Sequence, residues 1–501
     1  MNQLKVSYFQ ERLAAWKVCL PIIPKLPILA TGLEGISLLS LARSWDSVHV
    51  HQCEKRVFEW VKEQVKELDL GTEFKIVDEE ELYCSEYHAI AIGSEGGILN
   101  DPRRVRQLLK PGGSVVWIGP RNSVPNLRLL NKEGYDSIRR YAVLPPNTCK
   151  VIIPTSKGTS ACSGLKFYTP GKWHNRLAVK CFHMMSKCGL QGGLGVKQIV
   201  VAKKPGSLPK DAYLVDWLSD LLGHRVADMA IYPGSNQAPG QRKITLQVLD
   251  DNGRALAIVK IADTTPAKRA IEKESVILKR LQQFDDLRYS VPKVIASENW
   301  HDHAVQIQEF VGFNKNKYAT RVTPAHLKFL EALGKIDQHE MTLEDWPLWS
   351  QMLRKAQEGK FGLPREASKI REALDYCAKR LGSNKLLFHR IHGDFTPWNV
   401  FKREDKVIVV DWEDSEQHGL PLYDLIHFVF RERTLIEKWR PSITELFSAT
   451  PRTFGIEPYL ASLSRSIPKF SHTPGCQRED LMQCLLILSL AFETMESSVA
   501  K

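Results

Sequence analysis

The stretch HRIHGDFTPWNVFKREDKVIVVDWED, residues 389–414, decides how the second half of this chain is read. Asp394 is followed by Asn399 five residues on and by Asp411 twelve residues later, in a segment otherwise apolar and strand-forming. VFK (400–402) and KVIVV (406–410) read as two antiparallel strands turning at Arg403-Glu404-Asp405. A hairpin brings the residue before its first strand beside the residue after its second. Asn399 and Asp411 are therefore expected side by side at the open end, with Asp394 in the preceding loop close to both. Such oxygen donors suit a hard cation: magnesium takes one or two protein carboxylates or carbonyls and completes its sphere with water and phosphate. A carboxylate offset from the ion can position and deprotonate an attacking hydroxyl, as in-line phosphoryl transfer requires.

The remaining parts of a phosphoryl-transfer site stand upstream in order. ALAIVKIA puts Lys260 on a strand, where its ammonium can reach two phosphates. Glu274, fourteen residues on, falls in a helix and can pair with Lys260. YPGSNQAPGQRK (232–243) is a loop between strands, in which Gly234 and Gly240 permit close backbone approach to phosphate. In QIQEFVG (306–312) the backbone around Glu309 and Val311 could bond adenine.

HGDFTPWN, then VVDWED, then GLPLYDLIHF resembles the aminoglycoside phosphotransferase and choline kinase-like family over residues 213–501. Each motif alone is weak; the ordered set is specific. The resemblance implies ATP and Mg2+ as cofactors, Asp394 as catalytic base, Asn399 and Asp411 as metal ligands, and Lys260 with Glu274 as the phosphate-positioning pair. It gives Ser235 and Asn236, with Gly234, to the phosphate loop, whose GSNQAPG is a loose match. His392 and Asp424 would brace the catalytic loop. Taken singly, Asp411 could be a strand-end residue and Asp424 a helix N-cap.

Outward from this core, residues 26–119 alternate strands with helices: LPILATG, EGISLLSLARSW, DSVHVHQ, EKRVFEWVKEQVKEL, YHAIAIG, DPRRVRQLL and SVVWIG. That rhythm argues for a parallel sheet with crossover helices. ILATGLEGISLLSLA and LLKPGGSVVWIG resemble a class I S-adenosylmethionine methyltransferase over residues 20–125. The ligand positions depart from the pattern. Ala30 stands where the first acid is usual, Glu34 and Ile36 replace two glycines, and His51-Gln52 replaces the ribose acid. Losing that acid removes a charge-assisted bond of about 1.5–3 kcal/mol. The expectation is a methyltransferase-type fold that does not use S-adenosylmethionine.

The fold class expected is thus α/β followed by α+β: a Rossmann-like methyltransferase-type domain (1–125), a basic connecting region and linker (126–212), then a bilobal protein-kinase-like phosphotransferase fold with an N-lobe (213–312) and a helical C-lobe (313–501). A chain of 501 residues exceeds one hydrophobic core. In the connecting region VLPPNTCKVIIP reads as Pro-rich loop, KKPGSLPKDA (203–212) as linker, and GKWHNRLAVKCFHMMSKC (171–188) as an amphipathic helix.

Composition bounds the function classes. Ten cysteines form no C-x-x-C and no regular framework, which argues for packed thiols rather than disulfides or zinc. The longest apolar runs, VCLPIIPKLPIL (18–29) and CLLILSLAF (484–492), are broken or too short to span a bilayer. The N-terminus lacks signal-peptide features, so a cytoplasmic chain is expected, or one peripheral at a membrane. The net charge is +12, and residues 138–210 hold thirteen Lys or Arg and no acid. An anionic membrane surface or another polyanion fits that region, with nucleic acid the weaker option. Aminoglycosides, being polycations, fit this charge poorly; a small hydroxylated molecule or saccharide is the expected acceptor. Two alternatives stay open: a bifunctional kinase-methyltransferase acting on a glycan, and a catalytically silent pseudokinase-like scaffold.

Overall fold

The computed structural model describes residues 12, 14–145, 149–155, 157–167, 184, 197–234, 242–311, 320–358, 364–460, 463 and 477–499. The basic helix expected over 171–188 lies outside the described residues except for Met184. Two compact units divide the chain: Met1–Glu272 with Val294–Phe310, and Lys273–Lys293 with Val311–Lys501.

The first unit is built on a sheet of thirteen strands. Its apolar runs become β1 (Ile28–Thr31), β2 (Ser47–His51), β3 (Glu73–Ile76), β4 (Tyr87–Ile92) and β5 (Leu109–Pro120), separated by α1 (Gly35–Ala42), α2 (Lys55–Glu67) and α3 (Pro102–Leu108) among others. These five strands pair in parallel in the order β3-β2-β1-β4-β5. β1 and β2 are buried along their whole length. Parallel strands covered on both faces read as continuous apolar runs, which is how ILAT was legible. The order reverses between β1 and β4, the doubly wound pattern.

The sheet does not stop at β5. β6 (Asp136–Leu144), β7 (Val151–Pro154) and β8 (Lys197–Lys203) extend it in the order β5-β8-β6-β7. The Pro-rich loop reading of VLPPNTCKVIIP is corrected here: Val143 pairs with Ile152, and all of VIIP is buried in β7. Pro145 follows the last residue of β6 and Pro154 is the last residue of β7, where a missing N–H is tolerated. The linker reading of 203–212 is corrected too. Lys204 N donates to Gly113 O at 2.8 Å, its ammonium caps the carbonyls of Arg106 and Leu109, and Trp300 Nε1 donates to Asp211 O at 2.7 Å.

β7 then pairs with β9 (Asp228–Tyr232) through Ile152 and Ile231. Helix α4 (Gly158–Phe167) packs across this joint: Tyr232 Oη donates to Gly164 O at 2.7 Å, and a Cβ on Gly164 would stand 2.9 Å from Ala230 Cβ. Beyond β9 the sheet continues antiparallel through β10 (Ile244–Leu249), β11 (Ala255–Ala262), β13 and β12 (His303–Glu309 and Val294–Trp300). Methyltransferase-type and kinase-type strands therefore share one hydrogen-bonded sheet.

The second unit takes in the carboxy-terminal half of α5 (Thr265–Leu281) and the helices α6 (Pro324–Leu333), α7 (Pro364–Leu381), α8 (Tyr423–Arg431) and α9 (Arg478–Val499). Its small strands are β14 (His339–Met341), β15 (Leu386–Ile391), β16 (Val400–Arg403), β17 (Lys406–Val409) and β18 (Glu416–Gly419). Leu374, Cys377 and Leu381 of α7 meet Leu481, Leu485 and Leu488 of α9 in the core. Among the described residues no helix is long and apolar enough to cross a membrane.

Candidate functional site

β16 and β17 form the expected hairpin, with a register that differs by one residue. Val400 faces Val409 and Arg403 faces Lys406, so the turn is Glu404-Asp405 alone. Asn399 is thus opposite Val410, whose N–H donates to Asn399 O at 3.0 Å. Asp411 comes one step later and turns away from the ladder in the left-handed region, at φ 71°.

The loop between β15 and β16 is held from several sides. Asp424, near the start of α8, accepts the N–H groups of His392 at 2.7 Å and Gly393 at 3.0 Å, one on each carboxylate oxygen. Burial raises its pKa to about 7, against the pull of those two donors. His392 is fully enclosed. Its Nδ1 accepts Asp394 N–H at 3.2 Å, so Nε2 carries the proton and donates to Val410 O at 3.1 Å. That is a neutral imidazole, and burial lowers its pKa to about 4. Gly393, at φ 86°, could carry no side chain: a Cβ there would stand 2.2 Å from Asp414 O.

Asp394 and Asn399 are in direct contact. Asn399 Nδ2 donates to Asp394 Oδ2 at 2.8 Å and to its carbonyl at 3.0 Å. With Nδ2 so engaged, Asn399 Oδ1 is the atom left to ligate a cation. The Asp394 side chain is 32 % exposed although its neighbours are buried. Glu274, fully buried on α5, accepts the N–H of Trp412 at 3.2 Å, next to Asp411. Lys260 lies buried on β11 in the first unit, between Thr245 and Gln306. Gly234 adopts φ 86°, Glu309 ends β13, and Val311 is buried in the second unit. Ser235 and Asn236 lie outside the described residues.

Two further groups touch Asp394's surroundings and were given no role from sequence. His427 Nε2 is 3.1 Å from Asp394 Oδ1, and its Nδ1 is bonded to Glu493. His427 had a faint signal, three residues after Asp424 on one helix face. Glu493 had none beyond being an acid at the end of an apolar run. A groove of about 170 Å³ lined by Asp286, Lys328, Lys335, Asp405 and Lys406 lies at the turn end of the hairpin, away from these groups.

The donor set fits magnesium: an amide oxygen and a carboxylate beside the braced loop leave most of the coordination sphere to phosphate and water. Among the described residues no three His, Cys, Asp or Glu side chains cluster as a metal group, and such a site does not require three. At the switch point the loops after β1 and β4 touch: a Cβ on Gly93 would stand 1.8 Å from Gly32 O, and one on Gly97 would stand 2.2 Å from Gln52 Oε1. Glycine is thus required at both positions by the close approach of neighbouring groups.

Residues 239–455 match the model of the phosphotransferase enzyme family. This part of the chain is similar to that family. No curated protein matches the chain. Among solved structures, an aminoglycoside phosphotransferase mutant in ternary complex with ADP and hygromycin B is 14 % identical, with 57 % of this chain and 95 % of that one covered at a TM-score of 0.34. A glucosamine kinase in complex with glucosamine, ADP and inorganic phosphate is 12 % identical, with 58 % and 82 % covered at 0.35. The phosphoethanolamine N-methyltransferase 2 of Haemonchus contortus, in complex with phosphomonomethylethanolamine and S-adenosylhomocysteine, is 16 % identical, with 39 % of this chain covered at 0.24. The chain spans about half of that methyltransferase's length, 53 %. Scores this low transfer neither ligand nor activity to this chain.

Proposed function

We propose that the phosphotransferase carries the γ-phosphoryl group of ATP to a hydroxyl of a small molecule or saccharide. The observation that supports this reading most directly is Asp394, a carboxylate exposed on one side and gripped by Asn399 on the other. As the acceptor oxygen forms its bond to the γ-phosphorus, the bond to ADP breaks and its electron pair leaves with ADP. The hydroxyl proton goes to the Asp394 carboxylate, which needs to act only late in a loose transition state. Asn399 Oδ1 and the Asp411 carboxylate would hold Mg2+, whose charge, when bound, offsets that developing on the phosphates.

Lys260 and Glu274 keep the phosphate-positioning roles that the resemblance implies. Gly234 with Ser235 and Asn236 forms the phosphate loop, and the backbone at Glu309 and Val311 takes the adenine. The acceptor is neutral or anionic, because the net charge of +12 repels polycations. Residues 138–210 serve an anionic surface, which makes a peripheral cytoplasmic protein of the chain. The test is ATP consumption screened across sugars, amino alcohols and glycolipids, with phosphorylated products identified by mass spectrometry. ATP–Mg binding without any phosphorylated product would leave the silent scaffold as the better reading.

A further inference from the structure

Helix α8 turns one face toward Glu493 on α9. Tyr423, His427 and Arg431, spaced four residues apart, share that face and all reach the same carboxylate. Tyr423 Oη donates to Glu493 Oε1 at 2.9 Å, Arg431 pairs with Oε2 at 3.2 Å, and His427 Nδ1 contacts Oε1. Glu493 is 2 % exposed and His427 is 3 % exposed. A buried carboxyl that receives a hydroxyl, a guanidinium and an imidazole is an ionised acceptor. The proton between Glu493 and the ring therefore belongs to His427 Nδ1.

The other ring nitrogen, Nε2, lies 3.1 Å from Asp394 Oδ1. An ionised carboxylate and a bare ring nitrogen would repel at that distance, so this bond needs a proton of its own. Two bonds then hold two protons, and the ring bridges two carboxylates as an imidazolium. Its charge and that of Arg431 balance Asp394 and Glu493, which leaves the enclosed group neutral as a whole. Burial lowers the ring's pKa overall, against the hydrogen bond and charge of Asp394 and with Arg431 adding to the drop; the case for the second proton is the geometry of the two carboxylates bonded to the ring.

We propose that His427, held by Glu493, is a positioning residue for Asp394: it donates Nε2–H to Oδ1 while Asn399 donates to Oδ2, fixing the carboxylate's plane. One lone pair remains on each oxygen for the incoming hydroxyl. The inference rests on the phosphotransferase reading above, and it adds a residue to which the motif assigns no role. Groups that orient a reacting side chain from behind typically contribute about 10–100-fold to activity.

The test uses the full chain with ¹⁵N-labelled histidine. The resonances lost in His427→Gln identify the ring. They are expected to show both nitrogens protonated at neutral pH, and to become those of a neutral ring in Glu493→Gln. In kinetics, His427→Ala should lower kcat by about 10–100-fold with KM for ATP unchanged. His427→Gln, which keeps a donor near Asp394, should recover much of the loss. A neutral ring with bare Nε2, a His427→Ala enzyme with the wild-type kcat, or a loss that appears in ATP affinity instead would each overturn the proposal. A bridging charged ring in a chain that phosphorylates no acceptor would remove the phosphotransferase reading, and the positioning role with it, while the bridge itself would stand.

Discussion

Asp394 accepts hydrogen bonds on both oxygens yet keeps a third of its side chain exposed, a combination that separates orienting it from using it. Asp394→Asn preserves shape and removes the proton acceptor. Turnover should fall by about 10²–10⁴-fold, the usual worth of a general base, with ATP–Mg affinity unchanged by calorimetry. Asp411→Ala should instead abolish magnesium-dependent nucleotide binding; unchanged affinity would count against its role as a ligand. The contact of Asn399 with Asp394 and the place of Asp411 one residue after Val410, the partner of Asn399, were legible because a short loop and one hairpin set them locally. The bond from Trp412 N–H to Glu274 joins residues 138 apart, and Glu493 lies 66 residues beyond His427. No spacing encodes such pairs, because folded helices set them and not local chain geometry.

Among elements, the hairpin was legible from two apolar runs around a charged turn, and its register was not. A two-residue turn with Glu404 at φ 54° replaces the three-residue turn expected. Turn length depends on one residue's willingness to enter the left-handed region, which composition alone does not reveal. The loop's anchorage was equally hidden. Asp337, with its side chain 2 % exposed, bridges Arg280 on α5 and Arg390 on β15, the latter at 2.6 Å. Arg390 passes the restraint on to Ser415, whose Oγ donates to Ile391 O at 2.6 Å. Asp337→Ala should cost about 3–5 kcal/mol, as expected when one partner of a buried ion pair is removed. Urea unfolding followed by tryptophan fluorescence would measure it, and a loss under 1 kcal/mol would reduce the bridge to an ordinary surface pair.

At the scale of the molecule, acid should weaken the fold. His303, His326 and His392 are each lowered to about 4 by burial. Each therefore stabilises the fold fully above the unfolded value near 6.5, and that contribution is lost as pH falls toward 4. Asp424, raised to about 7, acts oppositely over the same window and offsets one of the three. The midpoint of urea unfolding should thus drop between pH 6.5 and 4, each histidine contributing up to about 1.4 kcal/mol per pH unit. A flat profile would contradict their neutral burial. Calorimetry with S-adenosylmethionine should show no heat, since Ala30, Glu34, Ile36 and His51-Gln52 stand where the usual acids and glycines would hold it. The shared sheet also has a practical consequence for anyone isolating the catalytic part. A polypeptide begun at Tyr213 would strip β9 of its neighbour Ile152 and of the helix lying over Ala230, leaving a bare apolar margin ready to stick to its own kind. Such a fragment should precipitate where the whole chain stays in solution, so the amino-terminal half acts as the permanent cover of an edge that would otherwise aggregate.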